Sequence, residues 1–443
     1  MNLTARLTRT LGSGPAATPR AAEPEPALAS ASLGHASPPA PRLADALARL
    51  DRARAKVAAF ALAEVGGGPP RPFEDAVPGA LEDTEAGPLW VAEERLGPGE
   101  RHGSRAVGAL RERSTDALHR LVGDERLRGF RAEDALFLDI EATGLDHGAG
   151  TLAFVVGLAY YEGETLVVRQ LVLREPGEER ALLLELKRAL DRFPCLVSFN
   201  GKSYDTTVLE NRLVMQRLYS PRETALKLRP HLDLLHLSRA LYGGLWEDTR
   251  LQTLEREVLG VHREDDIPGH LVPSCWFTWL RHKSPDPIAG VVRHNRDDVL
   301  TMVTLADRLL AESALDGVSD LSPPLALNLA RLLGRRGSPT DAARVLRGLP
   351  LSEMPPRLQL RALRESAICA RRVGDHAWRR EALSALVSRS PSDALAWEEL
   401  ALVLERERRL GEALVAARRA QHLLPTDAIA RRLARLERRA AAS

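Results

Sequence analysis

The run LFLDIEATGLDHGAGTLAFVVGLAYY, from Leu136 to Tyr161, is apolar enough for buried strands, yet it carries Asp139 and Glu141 near its start. Residues two apart on a strand point to the same face. Burying a carboxylate costs several kcal/mol unless it is paired or coordinates a metal. A chain that builds this strand therefore needs positive charge at that spot.

The surroundings set the search. At 443 residues the chain is too long for one core, and two or three units are expected. Its 62 basic and 60 acidic residues give a formal charge of +2, so any basic surface must be local. Cys195, Cys275 and Cys369 lie far apart without a C-x-x-C pair. That pattern speaks against a disulfide framework or structural zinc and fits a reducing cytoplasm. No run of about eighteen apolar residues exists, so no membrane span is expected, and the N-terminus lacks the apolar core of a signal peptide.

Residues 1–88 are expected to be a largely disordered Ala/Pro-rich region. It holds one short helix, with Leu43, Leu47, Leu50 and Val57 on a stripe, and a Gly/Pro linker over 66–88. From 89 to 315 the pattern is α/β. ALFLDI, LAFVVGLAYYEG and TLVVRQLVL read as a three-stranded meander, followed by a helix over 178–192. CLVSF is a fourth strand, 204–217 a helix, and HLDLL a short fifth strand. The expectation is a mixed five-stranded sheet flanked by helices. From 320 to 443 strand signals stop. Trp397, Leu400, Ala401, Leu404, Ala413, Ala417 and Ala420 keep helix-pair spacing, and Pro391 precedes Pro425 by 34 residues, as in a degenerate tetratricopeptide array. Such repeats buttress a neighbour or bind a protein partner.

Further acids fit the first pair. Asp205 follows the fourth strand, and His294 and Asp298 are four apart on a late helix, sharing a face. Four carboxylates at one sheet edge would suit two divalent cations, Mg2+ or Mn2+, because the ligands are hard oxygens. Two such ions promote in-line displacement at phosphorus, with His294 as the base that takes the water's proton. Singly, each feature has a duller explanation: a guarded strand, a helix cap, a surface ion pair.

Together, FLDIEATGL, FNGKSYD and HNRDDV resemble the three motifs of the DEDD 3′–5′ exonuclease superfamily. More closely, HGAGTLAFVVGLA, HLDLLHLSRALYG, LQTLEREVLGVHREDDIPG and VVRHNRDDVLTM, in that order, resemble the YprB-type ribonuclease H-like family. The resemblance covers about 89–310 and implies a ribonuclease H-like fold with metal-dependent exonuclease chemistry on a 3′ end of RNA or DNA. It carries metal-ligand roles onto Asp139, Glu141, Asp205 and Asp298, and the base onto His294. The histidine branch of that superfamily usually places four residues between His and Asp, whereas three stand here; Asp297 is the second choice of ligand. By the same resemblance Thr143, Gly144 and Leu145 would touch the terminal nucleotide. Asn200 and Lys202, at the end of the fourth strand, lie beside the proposed site, where Lys202 is placed to contact phosphate.

Asp265 and Asp266 sit in a Pro/Gly loop and are read as a solvated turn. His231 and His236 are read as packing or hydrogen-bonding residues, SCWFTWL as a core helix, and the Arg-rich stretches 405–419 and 431–439 as solvated helix faces. Two rival readings stand beside an exonuclease: a catalytically weak nucleic-acid-binding scaffold, and an endonuclease on the same fold.

Overall fold

The computed structural model describes residues 71–144, 150–220, 226–264 and 266–441, all within one compact unit, Phe60–Ser443. The disordered segment and short helix expected before residue 71, and residues Leu145 and Asp265, lie outside the described residues.

The sheet has seven strands. In chain order, the strands of the molecule are β1 (Ala80–Thr84), β2 (Gly87–Leu96), a separate two-stranded ribbon of β3 (Arg101–His102) and β4 (Arg105–Ala106), β5 (Ala135–Ala142), β6 (Ala153–Glu162), β7 (Thr165–Val172), β8 (Cys195–Ser198) and β9 (His231–Asp233). The main sheet runs β1-β2-β7-β6-β5-β8-β9. β5 is antiparallel to β6 but parallel to β8, and β8 is parallel to β9. All five expected strands are present. The linker expected over 66–88 is corrected: β1 pairs with β2, which pairs with β7, and a helical turn over Phe73–Ala76 precedes them. Phe73 packs edge-on against Trp90 with ring centroids 5.3 Å apart, which ties this segment to the sheet.

Each face of the sheet buries its own core, which is why β5 and β6 are almost continuously apolar. Leu136, Leu138 and Ile140 enter one core with α1 (Glu179–Arg192) and α2 (Asp205–Met215). Ala135 and Phe137 enter the other with α3 (Leu234–Tyr242). The core helix expected at SCWFTWL is α4 (Val272–His282), whose Trp276 stacks on Phe154 at 4.9 Å. The long helix α5 (Asp286–Ser313) serves both cores, Ile288–Val292 in the first and Val299–Leu310 in the second.

Seven helices complete the described chain: α6 (Pro323–Arg335), α7 (Pro339–Arg347), α8 (Pro356–Val373), α9 (His376–Arg389), α10 (Ala394–Arg406), α11 (Leu410–Leu423) and α12 (Asp427–Ala441). The first of them are not a separate body. Leu325–Leu333 and Ala342–Leu346 share the core of α5, and the Asn328 side chain donates to the Leu241 and Gly243 carbonyls at the end of α3. Removing a buried donor from two carbonyls costs about 1–3 kcal/mol. Asn328→Ala is accordingly expected to lower the melting temperature of the whole protein by a few degrees in calorimetry, leaving one transition.

Candidate metal centre

The acids meet because of the sheet's topology. Asp139 and Glu141 lie near the C-terminal end of β5. The neighbouring parallel strand β8 ends at Ser198, and its connection delivers Asp205 as the first residue of α2. Gly201 makes room on the way: a Cβ there would crowd Ser198 Oγ and Asp205 Oδ2. Asn200, at φ 68°, turns the chain, and its N–H and that of Lys202 both donate to the Asp233 carboxylate at 2.8 and 3.2 Å.

The remaining side of the cluster comes from α5, laid across the sheet at Gly157. Asp139, Gly157 and Gln170 form one cross-strand row over β5, β6 and β7. A Cβ at Gly157 would collide with the side chain of Asn295. Asn295 therefore sits on the glycine, donating to Asp139 Oδ2 at 2.8 Å and accepting from Gln170 Nε2 at 2.8 Å. Glycine within a strand commonly marks such a close approach, and this signal was open to sequence reading. On the same helix, His294 Nε2 lies 3.7 Å from Glu141 Oε1 and 3.7 Å from Asp298 Oδ2. Ligand atoms of Glu141, His294 and Asp298 all fall within 4.8 Å of one another.

The electrostatics are those of an anionic site that its neighbouring cations compensate only in part. Burial, then the charges of Asp298 and Asp205, holds the Asp139 carboxyl well above the usual carboxylate range. Burial, then Asp139, Asp298 and Asp205, does the same to Glu141, with Arg263 opposing. Burial, then Asp233 and Asp298, pushes the pKa of Asp205 up to about 8. These shifts share two causes, desolvation and like charge. The donors are mostly hard carboxylate oxygens at the end of one strand, a set that fits Mg2+ or Mn2+.

Arg263 and Asp266 organise the cluster further. Arg263 is 7% exposed at its side chain and bonds Glu255 and Asp298 Oδ1 at once. Asp266 corrects the solvated-turn reading: its Oδ1 accepts from His294 Nδ1 at 2.7 Å. Arg263 Nη1 also approaches Nδ1, at 3.1 Å, but the carboxylate is nearer and only it can accept a proton from that nitrogen. With Nδ1–H so engaged, Nε2 faces Glu141 and Asp298. Burial lowers the His294 pKa, and the Asp266 bond and the Asp298 charge outweigh it, so the net shift is upward. The buried Ile267 (4% exposed) anchors this loop and was its one visible sign in the sequence.

Other expected site residues stand apart from this convergence. Thr143 Oγ1 accepts from the Leu152 N–H at 3.0 Å, closing the base of the β5–β6 connection. The Gly144 carbonyl accepts from the Tyr204 hydroxyl. The Asn200 side chain accepts from the Ser203 hydroxyl at 3.0 Å, and Lys202 Nζ lies 4.0 Å from Asp124. Asp297 turns away, 2.8 Å from Arg296 Nη1. His231 is buried and bonds Ser198 Oγ at 2.7 Å, and burial holds its pKa down to about 3.

Comparison with known proteins agrees with this architecture. A family model described as the RNase_H superfamily matches residues 136–310. The chain is 34% identical over 190 residues to the Uncharacterized protein YprB of Bacillus subtilis (strain 168), covering 42% of this chain and 45% of that protein. It is 37% identical over 98 residues to DNA polymerase 1 of Aeropyrum pernix, covering 18% of this chain and 10% of the polymerase. Among solved structures, the family B DNA polymerase of the archaeon Pyrobaculum calidifontis is similar at 19% identity and a TM-score of 0.33, over 47% of this chain and 29% of the polymerase. The chain thus spans less than half the length of these curated relatives. Residues 136–310 form a ribonuclease H superfamily domain of the YprB type.

Proposed function

We propose that this protein is a metal-dependent nuclease that removes nucleotides from the 3′ end of RNA or DNA. One observation carries the reading: carboxylates from three elements converge with His294, and burial and like charge hold three of them, Asp139, Glu141 and Asp205, above the usual carboxylate range. In this proposal Asp139, Glu141, Asp205 and Asp298 hold two divalent ions. When bound, such ions activate water and neutralise charge developing at a phosphodiester.

The chain's own residues supply the rest. Asn295 fixes one oxygen of Asp139, and Arg263 fixes one of Asp298. His294 Nε2 takes the proton of the attacking water, and Asp266 keeps that nitrogen aimed into the cluster. Thr143, Gly144 and Leu145 flank the terminal nucleotide, with Asn200 and Lys202 beside its phosphate. The helices from α6 onward are read as tetratricopeptide-like repeats that brace residues 89–315. A cytoplasmic setting belongs to the same proposal, supported by three cysteines, Cys195, Cys275 and Cys369, that are all buried and lie far apart in the sequence. Among the described residues no helix is long and apolar enough to cross a membrane.

Asp266→Asn tests the base assignment. Replacing the supporting carboxylate behind a functional histidine by a neutral amide costs about 10–100-fold. The expected result in steady-state assays is a kcat lower by that amount with KM nearly unchanged. A pure KM effect would instead make Asp266 a substrate-binding residue. The nuclease itself is tested by end-labelled digestion, as set out in the Discussion.

A further inference from the structure

The chain is nearly neutral overall, yet its charge is unevenly placed. From Leu321 onward the sequence carries 23 arginines and no lysine against 13 acidic residues, whereas the whole chain is only +2. Ten of those arginines are engaged with carboxylates, among them Arg331 with Glu365, Arg347 with Asp375 and Arg432 with Glu398. The excess is therefore concentrated in the others.

One of the others, Arg336, reaches the turn at Gly123 and Asp124, which Lys202 approaches from the loop before α2. Lys202, three residues before Asp205, lies 4.0 Å from Asp124 Oδ2, and Arg126 binds the same carboxylate at 2.7 Å. Two cations thus share one anion. Gly123, at φ 75°, ends a short helix immediately before Asp124. The guanidinium of Arg336 rests on that glycine so closely that a Cβ there would collide with it. Arg336 follows the C-terminal end of α6, where Arg372 of α8 donates to the Gly334 carbonyl at 2.7 Å. Arg336 and Arg372 are both exposed, and among the described residues neither has a carboxylate partner.

We infer that Lys202, Arg126, Arg336 and Arg372 form one cationic track that binds the phosphodiester backbone of a single strand and leads its 3′ end to the carboxylate cluster. This inference rests on the nuclease reading and adds where the rest of the strand lies. The chemistry fits. A planar guanidinium grips phosphate through two N–H groups, and contacts to backbone alone carry no base preference. The first tail helices, which share the core of α5, hold the outer half of the track fixed to the inner half.

The test is binding, which needs no catalysis. A fluorescein-labelled single strand of about 30 nucleotides, long enough to follow a backbone-tracking groove, is titrated with the full chain in EDTA at several salt concentrations, and anisotropy is read. The Arg336→Gln, Arg372→Gln double variant should bind roughly tenfold more weakly near 0.1 M salt, and its log Kd against log salt slope should fall by about 1.4, near 0.7 per lost phosphate contact. The Arg336→Lys, Arg372→Lys variant should keep most of the affinity, which separates charge from folding. Equal affinity and equal salt slope in wild type and glutamine variant would overturn the track, as would a wild-type chain that binds no strand. If binding weakens as expected but wild type cleaves nothing, the track stands and the nuclease reading falls.

Discussion

Asp139→Asn protein is expected to lose at least about a thousandfold in cleavage rate, several kcal/mol of barrier, because a ligand to catalytic metal is gone. In EDTA the same protein should melt at a higher temperature than wild type. The carboxamide introduced by this substitution still has an oxygen to accept the Asn295 hydrogen bond seen at 2.8 Å, while one member of a mutually repelling, buried set becomes neutral. Asp298→Asn should lose activity equally but gain no stability, since Asp298 also engages the buried Arg263 and its loss leaves that cation with Glu255 and Asp266 alone. The pair of results separates a metal centre from a structural ion-pair network. In a structural network both substitutions lower the melting temperature.

The second large effect is the pH dependence of the metal-free protein. The pKa of Asp205 is pushed up to about 8 in the fold, against about 3.9 when unfolded. A raised pKa means that the folded state holds a proton which the unfolded state has already released. Stability from this group is full below about pH 4 and drains away as pH rises to about 8. His102 and His231, with pKa values held down to about 4 and about 3 mainly by burial, work in the opposite sense, but only below their unfolded pKa near 6.5. Between about pH 6.5 and 8 the Asp205 slope remains, about 2 kcal/mol over that interval. Melting in EDTA should therefore fall by a few degrees across that window. Saturating Mn2+ or Mg2+ should remove the drop, because ions bind the deprotonated ligands. Asp205→Asn should make it shallower without metal, with Asp139, Glu141 and His294, whose pKa values are also raised, supplying the rest. A metal-free curve already flat in wild type would mean that the carboxylates are compensated by groups other than cations.

What could be read in the sequence follows from where the information lies. The strands β5 to β8 and the helix α5 announce themselves because each carries its own apolar pattern, and Asp139 and Glu141 stand out against it. β1 was hidden: ALEDT is short and mostly exposed, bordered by Gly79 and Gly87, and becomes a strand only by pairing with β2. Asp266 was hidden for a different reason. It lies 28 residues before His294 in a polar loop, and nothing local tells an inward-facing acid from a solvated one. Its direction depends on Ile267 packing into the core and on Arg263 reaching Glu255. Asn295 stands between His294 and Asp298 with no local mark of its own, because its role depends on Gly157 in another strand. Residues that act through long-range register are the ones a linear reading misses.

The most direct test is a digestion of single-stranded RNA and DNA labelled at the 5′ end, with Mg2+, Mn2+ or EDTA, using the full chain beside its Asp139→Asn and Asp298→Asn variants. The expected result is a metal-dependent ladder shortening from the 3′ end, stalled by a blocked 3′ terminus and absent from both variants. Cleavage that persists in the variants or in EDTA, or no cleavage of either polymer by the wild-type chain, would contradict it.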